Sequence, residues 1–134
     1  MKKQRWIFII ALILVVFVTS VIILNLNKET KVGVFSLSDF QTPLSVEQYR
    51  YPKNVGVVES PEEAMNIAIE LWKERELLDD LVCDYSKTEN LEVSFDDAEQ
   101  CWHINGKTPR KLFGGMPHVL VRKSGEVLAV WVDD

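Results

Sequence analysis

The sequence predicts an α+β chain: one N-terminal transmembrane helix, then a small domain with an amphipathic helix packed on a curved antiparallel sheet. Three observations carry this. Nineteen uncharged residues run from Trp6 to Leu24. Apolar residues recur at helical spacing after Ser60, and beyond Leu91 they alternate in short runs separated by polar or glycine-containing turns. A chain of 134 residues leaves room for one modest domain beyond such an anchor.

At about 1.5 Å rise per residue the apolar run nearly spans a hydrocarbon core of roughly 30 Å. Residues 1–5 form a basic tail in which Lys2, Lys3 and Arg5 predict a cytoplasmic N-terminus, with the remainder on the outer side. A cleaved signal peptide is the rival reading, because Val18-Thr19-Ser20 offers small residues for cleavage. The apolar run continues through Val21-Ile22-Ile23-Leu24, however, and exceeds the usual h-region of about 7–15 residues, so residues 6–24 are expected to stay as an anchor. The core helix of a soluble protein is the plainer alternative; the length and the basic flank argue against it.

All twenty Asp and Glu lie beyond the anchor, against twelve of the fifteen Lys and Arg. That excess of acid argues against phosphate-backbone binding, which needs clustered positive charge, and no nucleic-acid partner is expected. Residues 25–54 are polar, carry Pro43 and Pro52, and read as a linker or stalk with one strand near Val32-Gly33-Val34-Phe35. There is no internal repeat.

The folded domain is expected over residues 55–134. Ser60-Pro61-Glu62-Glu63 supplies a capping serine, proline at the first helical position and glutamate three residues after the cap. Ala64, Ile67, Ala68, Leu71, Trp72 and Leu78 then form one apolar stripe, predicting a helix from about Pro61 to Leu78. Leu91, Val93 and Phe95 alternate with polar residues as in a half-buried strand. In the next strand Trp102 and Ile104 share one face, with Cys101, His103 and Asn105 on the other. Gly106 to Gly115 is a loop, and Val119–Arg122, Ser124-Gly125 and Val127–Val132 read as a hairpin. Both faces of its last strand are apolar, with Val127, Ala129 and Trp131 on one and Leu128, Val130 and Val132 on the other. One face packs on the helix; the other needs a second cover, from the upstream segment or from a partner.

Taken together, several of these pieces resemble the NTF2-fold immunity proteins of bacterial polymorphic-toxin systems. The pieces are Ala64, Ile67 and Ala68 of the helix, Cys101-Trp102-His103-Ile104, Gly106-Lys107-Thr108-Pro109, Gly114-Gly115, and Lys123-Ser124-Gly125-Glu126-Val127-Leu128. The likeness covers roughly Val55 to Val132 and none of the anchor or linker. The chain departs from the pattern in its apolar anchor and in ending Trp131-Val132-Asp133-Asp134, where a polar, often histidine-containing tail is expected. The resemblance implies an NTF2-like, non-catalytic domain that binds and neutralises a cognate protein toxin by occlusion. Two readings from other classes stand beside it. One is a membrane-anchored module similar to PepSY-type domains, acting on an envelope peptidase or sensor. The other is an NTF2-like small-molecule binder, which would need polar groups converging in a concave pocket.

The residues assemble no catalytic constellation. His103 and His118 would have to pair with Cys101 or Cys83 as base and thiol, yet no nucleophile motif surrounds either cysteine. The spacing C-x17-C-x-H-x14-H lacks the close pairs of zinc sites, and isolated histidines near a turn usually belong to the polar surface, so no metal and no cofactor are expected. Gly114-Gly115 lacks the phosphate-loop pattern. Cys83 and Cys101 would close a loop of about 19 residues if bridged; two free thiols are the slightly preferred reading. What remains is surface. From Glu59 to Glu99 fourteen acids face three bases, ordinarily a solvated face but also a platform for a basic partner. The candidate partner contacts are Glu70 and Glu74 on the helix, Lys107, Arg110 and Lys111 in the basic loop, and Trp131 if its face lacks internal cover. Trp72 and Trp102 are expected in the core.

Overall fold

The computed structural model describes residues 2–26, 29–108 and 115–133, and divides into two units, residues 1–30 and 31–134. The first unit is helix α1 (Lys2–Leu26), which is long and apolar enough to cross a membrane. The two hydroxyl residues inside it satisfy themselves locally. Thr19 donates to the Val15 carbonyl at 2.9 Å and Ser20 to that of Val16 at 2.7 Å, which removes two donors that a bilayer could not solvate.

The second unit is an α+β fold built on a five-stranded mixed sheet in the order β1 (Val32–Val34), β2 (Leu91–Asp96), β3 (Cys101–Gly106), β4 (Pro117–Arg122), β5 (Val127–Val132). Strands β2 to β5 form an antiparallel meander, whereas β1 joins the edge parallel to β2. The sheet is therefore mixed rather than wholly antiparallel, because the chain enters it from upstream and must cross over before β2.

Helix α3 (Pro61–Glu74), which follows the short α2 (Gln41–Ser45), packs on one sheet face. The Ser60 hydroxyl accepts the Glu63 N–H at 3.1 Å, and the Glu63 carboxylate reaches back to the Glu59 N–H at 2.9 Å, so the start is capped as its sequence predicts. The helix stops four residues before Leu78. The Glu76 N–H turns back to the Lys73 carbonyl at 3.1 Å and the Leu77 N–H to that of Trp72 at 2.9 Å, with Glu76 at φ +54°. This is a Schellman closure with glutamate in the place usually taken by glycine. Nothing in the residue type announces it. Leu77 and Leu78 then pack against the core from outside the helix.

Ala64, Ala68, Leu71 and Trp72 meet Val93, Trp102, Ile104, Val119, Val121 and Val130 across this interface. Two buried indoles reach carbonyls, Trp72 to His118 at 3.1 Å and Trp102 to Val58 at 3.0 Å. The core is thus apolar without stranding the two N–H groups. In β5 the pairing shifts between Leu120 and Val121, so Val121 opposes Val127 while Leu120 opposes Ala129. This bulge at Leu128 breaks the strict alternation expected of the strand. Val127 joins Val130 on the helix side, while Leu128, Ala129 and Trp131 face the other way.

That other face is where the largest correction falls. Residues 31–54 are not a free linker. Beyond β1, Phe35, Leu37, Phe40, Leu44 and Tyr49 lie over Cys101, Leu120, Ala129 and Trp131. The segment is a chain of short turns, a 3-10 turn at Leu37–Phe40, α2 and a second 3-10 turn at Glu47–Tyr49. Its apolar residues are spaced too irregularly to register as helix or strand, yet they suffice to cover this face. The chain then runs along the final hairpin, where the Val127 N–H donates to Lys53 O at 3.0 Å and Val55 N–H to Gly125 O at 2.9 Å. Gly125 sits at φ +101°, and any side chain there would strike the Gly56 carbonyl.

Candidate functional site

The covered face holds the chain's two histidines. His103 lies on β3 and points away from the helix; His118 enters on β4, where its direct cross-strand partner is Trp131. The His118 and Trp131 rings stack at 4.7 Å and 4°. His103 Nε2 stands 2.9 Å from His118 Nδ1, and His118 Nε2 stands 2.8 Å from Asp133 Oδ2. The other Asp133 oxygen accepts the Met116 N–H at 2.7 Å. With the carboxylate ionised, His118 must donate from Nε2, which leaves its Nδ1 as acceptor for the His103 Nε2–H. Sequence reasoning placed these histidines at the polar surface; instead they are 7% and 8% exposed. Phe40 and Phe35 close over His103 at ring distances of 4.5 and 5.5 Å, and Tyr49 stacks on Trp131 at 6.0 Å.

Burial sets the electrostatics of this chain of rings. It drives His103 down to about 3, with the neighbouring His118 ring adding to the shift. His118 is also held below the ordinary imidazole range by burial, although its bond to Asp133 pulls the other way. Both rings are accordingly neutral at pH 7. A general base works best near the operating pH, and His103 is far from it. Cys101 shares the face of His103 but is fully buried, and desolvation pushes its thiol up to about 12, so it is not an activated thiolate. Cys83 packs on the helix side of the sheet, away from Cys101, and both are free thiols.

The expected contact residues separate. Trp131 is 5% exposed beneath Phe40 and Tyr49, so its face has internal cover and it is not available as an anchor for a partner. Glu74 is engaged internally: Lys53 Nζ contacts its two oxygens at 2.6 and 2.8 Å and the Tyr51 hydroxyl donates at 2.9 Å. The Lys53 hydrogen bond and then that of Tyr51 hold its carboxyl below the usual range. Glu70 remains exposed, with Lys73 at 3.7 Å. It rims two shallow grooves that share Asn66, one of about 600 Å³ reaching Lys87 and Glu89 and one of about 190 Å³ reaching Lys53 and Val55. Lys107 is exposed and donates from Nζ to the Glu89 carbonyl at 3.0 Å. Arg110 and Lys111 lie outside the described residues. Arg122 contacts Glu126 at 3.3 Å and Glu99 at 3.6 Å, so acidic and basic regions partly offset one another within the fold.

Among the described residues no group of three or more His, Cys, Asp and Glu side chains gathers as a metal site. The histidine pair was legible only in retrospect. Its one signal is that His103 and His118 sit on strands that become neighbours, a fact that spacing alone does not supply. Comparison with protein-family models, curated proteins and solved structures finds no match to the chain.

Proposed function

We propose that this chain is a membrane-anchored binding protein of the immunity type, with an NTF2-like domain that neutralises a cognate protein toxin by occluding it, without catalysis. The observation that carries this reading is the filled interior. The space between α3 and the sheet is occupied by Trp72, Trp102, Ile104 and Tyr85, so recognition falls to the outer surface rather than to an enclosed ligand pocket. The motif order from Ala64 to Leu128 supports the family assignment, and among the described residues the exposed Glu70 and Lys107 are the candidate contacts that stay open to a partner.

Lys2, Lys3 and Arg5 favour a cytoplasmic N-terminus and an outward-facing domain. An outward domain cannot intercept a toxin already working in the cytoplasm, so the toxin is one that acts at the envelope or is met during export or entry. Coexpression with the product of the adjacent gene tests the proposal: rescue of growth and copurification are expected. Full toxicity in the presence of the folded chain, with no copurification, would sink it.

A further inference from the structure

We propose that residues 35–49 form an acid-released cover, detached from the sheet when the His103–His118 pair beneath it takes up a proton, while the helix-side core stays folded. The geometry concentrates proton sensitivity on one side of the sheet. His103 lies under Phe35 and Phe40, and the two imidazoles are 2.9 Å apart, so a charge on either ring is placed against the other ring and three aromatic faces. Of the two rings, Asp133 bonds to His118. A proton on His103 therefore has no carboxylate partner in the closed arrangement, and water is its best solvation.

The cover is built to yield first. None of its three short helical turns contributes a buried residue. It is held by ring contacts and a few polar ties: the Leu37 N–H to Asp96 Oδ2 at 2.7 Å, and the Arg75 guanidinium to the carbonyls of Gln48 at 3.0 Å and Arg50 at 3.4 Å. Segments with few buried contacts open at lower free energy than core strands. Among the described residues the buried polar side chains are Asp96, His103 and His118, and the two histidines lie on the cover side. Among the described residues the charged and titratable groups facing the pair are few, and Cys101 on the same face, its thiol pushed up to about 12, carries no charge in this range. Asp133 follows β5, the cover brings exposed Asp39 and Glu47 with half-buried Tyr49, and Asp96 at the end of β2 holds Leu37. Asp96 is kept below the usual carboxylate range by the Leu37 and Glu99 N–H groups, so it stays ionised through the histidine range.

The sign follows from the depressed histidines. For His103 the open form takes up a proton near the ordinary value of 6.5 and the closed form only at about 3, so acid favours opening between these limits. From pH 7.5 to pH 5, His103 alone raises the open population about thirty-fold, and His118 acts in the same direction.

Amide hydrogen exchange on the full-length chain in detergent micelles reads this directly, with rates expressed relative to the intrinsic rate at each pH. Protection at Leu37, Asp39, Val46 and Tyr49 is expected to fall about thirty-fold from pH 7.5 to pH 5, with Val93 and Ile104 unchanged. Unchanged protection in the cover, or an equal loss throughout the sheet, would overturn the proposal. The double variant His103→Phe/His118→Phe keeps rings in the stack without the protons, and its cover should be insensitive to pH; a persisting step would be equally fatal. Since the chain has only two histidines, their ring resonances in the unaltered protein provide a check that needs no variant. Their titration must track the release of Tyr49, and titration near 6.5 with Tyr49 still protected would refute the mechanism.

Discussion

Replacing Trp131 with alanine separates two roles for this residue, an exposed anchor for a partner and a buried part of the fold. At 5% exposure, with His118 stacked at 4.7 Å and Tyr49 and Phe40 each at 6.0 Å, it belongs to the core beneath the cover. Truncating a buried Trp to Ala costs about 3–5 kcal/mol. A domain of this size has a total stability of about 5–15 kcal/mol, so the loss is a large share of the whole. With a urea m-value of about 1–3 kcal/mol/M, the unfolding midpoint should fall by roughly 2 M. The assay is urea unfolding of the full chain in detergent, followed by the emission of Trp72 and Trp102, which lie in the helix-side core. Trp131→Phe keeps an apolar ring and should lose less than half as much. An alanine variant within about 0.5 kcal/mol of the parent would show that the ring is not packed as described, and would return Trp131 to the list of surface contacts.

Other outcomes follow from single contacts. Ser60→Ala removes the acceptor for the Glu63 N–H and should cost about 1 kcal/mol, read as a fall in Tm of about 4–8 °C. Gly125→Ala places a Cβ at φ +101° against the Gly56 carbonyl and should destabilise by more than about 1 kcal/mol in the same melt; a neutral result would mean the hairpin turn is drawn wrongly. Cys101, fully buried and with its thiol pushed up to about 12, should resist alkylation at pH 8 until denaturant is added, so a rapid native reaction measured by mass spectrometry would contradict its placement. On the proposed immunity reading, reversing Glu70 should weaken copurification with the partner, whereas reversing Glu74 should chiefly loosen its junction with Lys53 and Tyr51, a difference visible by comparing binding with Tm.

Local periodicity and end chemistry are legible along the chain. The apolar run that becomes α1, the Ser60-Pro61 start of α3, the faces of Trp102 and Ile104, and the turn at Gly125 all follow from residues within a few positions of one another. Tertiary structure decided what depends on distant pairs. The end of α3 is set by backbone bonds at Glu76 and Leu77, and the bulge at Leu128 by the competing registers of β4 and β5, neither of which has a residue signature here. The turns of residues 35–49 look like linker because their apolar side chains have no period; they are recruited because the second sheet face is aromatic and would otherwise stand in water. The same burial converts two scattered histidines and Asp133 into one hydrogen-bonded chain, since strand pairing joins residues 15 positions apart and the cover then removes their solvent. Proximity across strands and desolvation are properties of the folded chain, which is why neither could be read along the sequence.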